Sequence, residues 1–209
     1  MADETRIETA RLVLRDWREA DFATFFRHTN TPAVMQWLAG VMDEDGKAAL
    51  IERVTGCRAR HGHCFWLVER KHDGGHLSGE VLGFCGIKRA DAPDSSIPGE
   101  FEVGWRFRED AWGQGYAKEA AAASLNAAFE RYGADEVYAL TVIENAPSWG
   151  LMERPACAAG QTSTITTRAI AARSATRWCG RSRRTNGGAC DGRHRARDRA
   201  AGPAPHRRG

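Results

Sequence analysis

The sequence predicts an α/β chain in which a mixed sheet carries helices on both faces. Two observations predict it. Short runs of alternating or β-branched apolar residues recur at 11–17, 64–70, 80–88, 101–107 and 137–142. Stretches with helical spacing fall at 18–29 and 43–60, before the second of these runs, and an alanine-rich stretch separates the runs at 101 and 137. The order is strand, two helices, three strands, helix, strand, helix: an antiparallel meander feeding a β-α-β unit.

Leu12 and Leu14 alternate in the first strand, and the helix after it turns Phe22, Phe25 and Phe26 inward. The second helix presents Ala48, Ile51, Val54 and Thr55 on one side. His72-Asp73-Gly74-Gly75 is a strong turn signal between two strands, and 93–99 reads as a surface turn. After the strand Phe101-Glu-Val-Gly-Trp-Arg-Phe107, Ala117, Ala121, Leu125, Ala128 and Tyr132 mark a buried helix face. Lys118, Glu119, Asn126 and Glu130 mark the outward one. Asn145 is a plausible cap for a last helix, with Pro147 tolerated in its first turn.

With 209 residues and 42% hydrophobic content, the chain can build one real core. No apolar run approaches the roughly 20 residues of a membrane span, so no membrane partner is expected. Residues 1–10 are charged and do not read as a secretory signal, which makes cytoplasm the expected compartment. Six cysteines show no paired spacing and read as reduced thiols. Cys57, His61, His63 and Cys64 lie close enough in sequence to raise a metal, but their spacing fits no familiar zinc pattern, and no metal is expected.

The formal charge of +3 hides two unlike segments. Residues 155–209 hold 12 Arg and 2 Asp, net +10, which leaves 18 basic and 25 acidic residues, net −7, in 1–154. Such a break marks a boundary.

Between strand and alanine-rich helix stands Trp112-Gly113-Gln114-Gly115-Tyr116-Ala117-Lys118. Glycines let backbone approach a ligand, and helix N-terminal amides favour an anion, so this junction suits a phosphate. No third glycine follows at Rossmann spacing, no Gly-Lys-Ser/Thr completes a P-loop, and the turn arrives halfway along the chain.

From Glu8-Thr-Ala-Arg-Leu-Val-Leu-Arg to Glu153-Arg154 the sequence resembles the GNAT superfamily of acetyl-CoA-dependent acetyltransferases. Phe101-Glu-Val-Gly-Trp105, Trp112-Gly-Gln-Gly-Tyr-Ala-Lys-Glu-Ala120 and Asn145-Ala-Pro-Ser148 are similar to its branch of ribosomal-protein N-terminal acetyltransferases. The family's pyrophosphate loop, Arg/Gln-x-x-Gly-x-Gly/Ala, here begins with Trp112. The resemblance implies that residues 113–118 cradle the coenzyme pyrophosphate, that Trp105, Arg106 and Phe107 line the pantetheine, and that Asn145 lies near the coenzyme arm. It also implies a primary amine as acceptor, a protein N-terminus before a small molecule.

Attack requires the neutral amine: an α-amino group of pKa about 8 is neutral roughly a tenth of the time at pH 7, a lysine far less. Glu102 is the candidate general base, directly or through water, against the plainer reading of an outward-pointing strand residue. Many family members place a Tyr seven residues beyond the Asn, where this chain has Met152, and Ser148 matches a serine this branch uses instead. First-turn capping is its plainer role.

Family members continue past Met-Glu-Arg with Leu-Gly-Met or Leu-Gly-Phe and two more strands. This chain continues Pro155-Ala-Cys-Ala, and only Ile165, Ile170 and Trp178 among its last 55 residues are large and apolar outside cysteine. Regrouping the codons after a one-base deletion near codon 155 permits a family-like continuation. The expectation is therefore a domain at 1–154 lacking its last two strands, an uncovered edge at 137–142, and an out-of-frame, disordered tail at 155–209. Nucleic-acid binding by the Arg-rich tail is the lesser expectation. Oligomeric state has no signature.

Overall fold

The computed structural model describes residues 4–91, 97–142, 144–152, 156–158, 161–172 and 175–183. The order is β1 (Arg6–Glu8), β2 (Leu12–Arg15), α1 (Glu19–Thr29), α2 (Pro32–Met35), α3 (Glu44–His61), β3 (Phe65–Arg70), β4 (Val81–Arg89) and β5 (Phe101–Phe107). Then come α4 (Tyr116–Glu130), β6 (Glu136–Val142), α5 (Ala146–Met152), β7 (Ala156–Ala158), β8 (Gln161–Ala172) and β9 (Ala175–Arg183). Strands β1 to β5 form an antiparallel meander, and β6 joins β5 in parallel after the crossover through α4. The mixed α/β architecture is the expected one. Two short elements, β1 and α2, are additions, since three or four residues carry too little periodicity to be read from sequence.

One expectation is corrected at the sheet's far edge. Strand β6 is not left uncovered: β9 runs antiparallel along it from Glu136↔Arg183 to Val142↔Arg177, with β8 and β7 beyond. Thr162, Thr164, Ile165, Thr166, Thr167 and Ile170 make 161–172 rich in β-branched residues, which favour extended backbone even where large apolar side chains are few. Of the tail expected to be disordered at 155–209, residues 184–209 fall outside the described residues, as do residues 93–96 of the turn expected at 93–99.

Helices cover both faces of the sheet. On one, α4 buries Tyr116, Ala120, Ala121, Ser124, Leu125, Ala128 and Phe129 against Trp66, Val68, Leu82, Ile87, Val103 and Phe107. The inward face is shifted from the one the spacing predicts, because Tyr116 and Phe129 enter the core while Ala117 and Tyr132 lie at its margin. On the other, Phe25 of α1 and Leu50, Val54 and Cys57 of α3 pack on Leu67 and Phe84. Helix α3 starts where Asp43 accepts from the Gly46 amide and ends at Gly62 in the left-handed region. Helix α1 is anchored by Asp21, which receives two bonds from the buried Arg15 guanidinium, at 2.7 and 2.8 Å, and one from the Arg18 amide at 2.6 Å.

The feature that positions the site is a divergence between β5 and β6. They pair only over Phe101↔Val137, Glu102↔Tyr138 and Val103↔Ala139, although β5 runs on to Phe107 and β6 to Val142. In a parallel pair the carboxyl ends share one edge of the sheet, so the turn after Phe107 and the turn after Val142 flank the same cleft.

Candidate functional site

The chain leaves β5 through a short 3-10 turn at Glu109–Ala111, and the Trp112 indole N–H donates to the Phe107 carbonyl at 3.0 Å. Gly113 and Gly115 then take φ values of +73° and +78°, a left-handed backbone that other residues adopt only at a cost. A Cβ on Gly113 would meet nothing within 4 Å, and one on Gly115 would approach only Arg11 Nη2 at 3.5 Å, so the front of the loop is open. Gly115 is the N-cap of α4 and supplies no side-chain acceptor. The first-turn amides of α4 are therefore left without an intrahelical partner beside the open front of the loop. Gln114 and Lys118 are exposed beside them.

Neighbours brace this loop. Tyr116 is buried, its hydroxyl donating to the His76 carbonyl at 3.0 Å and accepting from Arg70 Nε at 3.2 Å. Arg11 donates through Nη1 to the Gln114 carbonyl at 3.0 Å and through Nε to Glu119 at 2.7 Å, with its guanidinium 4.6 Å from the Tyr116 ring centroid. Glu119, expected on an outward face, is thus an anchor. Burial pushes its carboxyl up, but bonds from the Thr9 hydroxyl and from the Arg11 amide and guanidinium outweigh this and hold it below its ordinary value. Arg11 and Thr9 lie over a hundred residues away in sequence, and no local spacing signals the pairing.

The divergence exposes one edge of β5. The Arg108 amide donates to Leu82 and the Ala90 amide to the Glu100 carbonyl, each at 2.9 Å, so the even-numbered residues of β5 turn their backbone groups toward β4. Those of Trp105 and Phe107 turn toward the cleft, where β6 no longer pairs, and the Phe107 carbonyl is taken by Trp112. Arg106 is therefore a correction to the expected set: its backbone serves β4 opposite Phe84. Its side chain, on the face away from α4, is 6% exposed beneath Met35.

That same face carries Glu102. It stands directly across from Lys88, whose ammonium lies 3.3 Å from its carboxylate and 2.7 Å from that of Asp91. Burial lowers the Lys88 pKa, but the charges of Glu102 and Asp91 outweigh burial and leave it raised, so the ammonium stays charged. The Glu102 side chain is 17% exposed and held in an ion pair, which the reading of an outward-pointing strand residue does not describe. Lys88 is an addition to the site; its place in an otherwise apolar run, Val81 to Ile87, is the signal that marks it.

Past β6, the Asn145 side chain accepts from the Ser148 amide at 3.3 Å and caps α5. Ser148 is half-buried in that first turn, at the carboxyl-end edge shared with the glycine loop. The structure sets Trp105, Phe107, residues 112–118 and the 145–148 turn toward the carboxyl-end edge where β5 and β6 diverge, with Glu102 on β5 where the two strands still pair.

Of the cysteine–histidine cluster, Cys57, His63 and Cys64 are part of the core and His61 is exposed. Cys57 and Cys64 are buried free thiols sharing a hydrogen bond that favours the Cys57 thiolate, near 7, and pushes Cys64 up. His63 places Nδ1 3.1 Å from the Ile87 carbonyl and its ring 4.5 Å from that of Tyr132, and burial lowers its pKa. Among the described residues no three His, Cys, Asp or Glu side chains converge on a possible metal position.

A family profile described as acetyltransferase (GNAT) domain matches residues 11–155. The chain is 32% identical over 130 residues to the uncharacterized protein YkkB of Bacillus subtilis strain 168, covering 62% of this chain and 71% of that one. It is 27% identical over 151 residues to the uncharacterized N-acetyltransferase YnaD of the same strain, covering 71% and 79%. Among solved structures, the acetyltransferase of Agrobacterium tumefaciens strain C58 superposes with a TM-score of 0.67 at 25% identity, covering 85% of this chain and 93% of that one. The ribosomal-protein-S5-alanine acetyltransferase of Vibrio fischeri shares the fold, with a TM-score of 0.57 at 14% identity over 86% and 97%. The profile covers more than half of the chain, and on that match this protein belongs to the GNAT acetyltransferase family.

Proposed function

We propose that the chain transfers acetyl from acetyl-CoA to a primary amine, with a protein N-terminus as the first acceptor class and a small-molecule amine as the second. The observation that carries this reading is the open glycine loop at the uncapped head of α4, set beside the unpaired Trp105 edge of β5. Acetyl-CoA fits that pair of features: a pyrophosphate suits open helix-terminal amides, and an amide-bearing pantetheine suits a strand edge lacking its neighbour. When bound, it supplies a thioester carbonyl that an amine can attack. Residues 113–118 hold the pyrophosphate, and an N–H of the Trp105 edge faces the acyl oxygen where negative charge develops. Glu102 takes the proton from the acceptor ammonium, directly or through water, while Lys88 holds its carboxylate in place. Ser148, steadied by the Asn145 cap, offers its hydroxyl to the departing thiolate.

A second reading is a remnant that binds coenzyme A without turnover. It is favoured by the end of the family match at residue 155, where composition also changes. In this proposal residues 1–154 are the acetyltransferase domain and 155–209 arise from a one-base deletion. Purified protein separates the readings: free-thiol release from acetyl-CoA across an amine panel supports the enzyme, and coenzyme binding without release supports the remnant. Steeply salt-dependent DNA affinity, lost on removing residues 155–209, would instead favour a nucleic-acid role for the tail. No helix among the described residues is long and apolar enough to cross a membrane, and the proposed setting is the cytoplasm.

A further inference from the structure

Arg106 is the one arginine at least nine-tenths buried, among the described residues, with no acidic partner in an ion pair. Its Nη1 lies 3.1 Å from the Met35 sulfur, a weak acceptor, and its Nε has no hydrogen-bond partner at all. The guanidinium sits 5.0 Å from the Phe25 ring centroid and 5.2 Å from that of Phe84. Aromatic faces return only part of what a buried cation loses in leaving water. Burial, and then the like charge of Arg53, pull its pKa down to about 10, so the group remains charged at neutral pH. Replacing such a residue by an apolar one of similar volume is often stabilising, so its presence calls for a role that stability does not supply.

Its position says what that role is. Glu102, Gly104 and Arg106 follow one another on the face of β5 away from α4, so the proposed base and the guanidinium share a surface with Cα atoms about 13 Å apart at ~3.3 Å per residue. Between them, Phe65 and Phe84 stack in parallel at 4.9 Å, and the Phe65 ring lies over Gly104, where a Cβ would come within 2.7 Å. Just after Met35 in the chain, Trp37, Leu38 and Val41 are exposed apolar side chains, with Ala39 at φ +69°. The face therefore runs from a carboxylate, past the half-buried Phe65 ring, to an unpaired cation covered by Phe25 and Met35.

We infer that Arg106 binds an anionic group, a carboxylate or a phosphate, at the far end of an acceptor whose amine meets Glu102 across an apolar spacer. This rests on the acetyl-transfer reading and narrows its acceptor to amphipathic amines with a distal negative charge. Met35 is displaced as the anion takes its place against Nη1 and Nε.

The test uses the full chain with acetyl-CoA and matched acceptors: aminohexanoate and aminohexyl phosphate against the neutral aminohexanamide. A charge-assisted contact of about 1.5–3 kcal/mol predicts a KM for at least one anionic acceptor roughly tenfold or more below that of the amide, and which one identifies the anion. Arg106→Met is expected to abolish the preference and Arg106→Lys to restore part of it, a rescue that core damage would not give. Thermal melts of each variant check folding and give a second readout, in which the anionic amines raise the Tm of the parent and leave that of Arg106→Met unmoved. Equal KM values in the parent, or a preference that survives Arg106→Met, overturn the proposal. If no amine releases thiol, the acetyl-transfer reading has failed. The anion site is then upheld by an Arg106-dependent Tm shift with aminohexanoate or aminohexyl phosphate and overturned by its absence.

Discussion

At the scale of single residues, the site depends on charges set by direct partners across the sheet. Glu102 faces Lys88 on the neighbouring strand, an ion pair that fixes the carboxylate of the proposed base. Glu102→Gln keeps the shape and removes the base, so kcat is expected to fall by about 10² to 10⁴ with acetyl-CoA affinity unchanged. Steady-state kinetics beside a coenzyme titration check it, and full turnover in the variant would dismiss the role. A second residue-scale prediction concerns Asp21. Burial raises its carboxyl, but the Arg15 guanidinium and the Arg18 amide outweigh burial and hold it below the ordinary value. Its contribution to stability is therefore complete above about pH 4 and is lost as pH falls through the depressed native value. Asp21→Asn is expected to cost about 3 kcal/mol at neutral pH, because it unpairs one side of a buried guanidinium, and to flatten the fall in Tm below pH 4. Glu102 was legible in the sequence from its place on the strand before the loop. Lys88 was marked by its place in an apolar run, but its pairing with Glu102, the reach of Arg11 and the buried course of Arg106 were not legible, because cross-strand register and long-range pairing leave no local spacing.

At the scale of elements, the head of α4 is the clearest case of sequence specifying structure. Glycines at 113 and 115 permit the left-handed turn, and an alanine-rich helix follows at once, so the loop and the helix it opens could be read before any coordinates. Its bracing by Thr9, Arg11 and Tyr116 could not. Gly115→Trp is expected to abolish acetyl-CoA binding, because a bulky side chain at φ +78° is strained and fills the open front of the loop. Isothermal titration measures the loss, and a cooperative melt within a few degrees of the parent shows that the fold survives. The short elements β1 and α2 escaped the sequence for a simpler reason, since three or four residues are too few to show a period.

At the scale of the whole molecule, the question is what closes the sheet beyond β6. The resemblance ends at Arg154 and the family profile at residue 155, where an acidic segment of net −7 gives way to one of net +10. The backbone nevertheless continues the sheet through β9 and β8, which covers the edge of β6 that the sequence predicted to be open. Covering an edge and filling a core are separate tasks: strand pairing needs only backbone groups and β-branched residues, whereas a core needs large apolar side chains. Residues 155–209 supply the first in Thr and Ile and little of the second, with Ile165, Ile170 and Trp178 as their large apolar residues outside cysteine. An out-of-frame origin accounts for that combination, because it fixes composition without selection for packing. Restoring one base near codon 155 is expected to return the Leu-Gly-Met type of continuation and to raise the Tm of the purified protein by several degrees, since each fully buried apolar side chain contributes about 1.5–3 kcal/mol. Acetyl-CoA binding is expected in both forms, because the glycine loop and the β5 edge precede the boundary. Stop codons shortly after codon 155 in the shifted frame, or a repaired chain that melts below the present one, would remove the deletion and leave 155–209 as a segment with its own history.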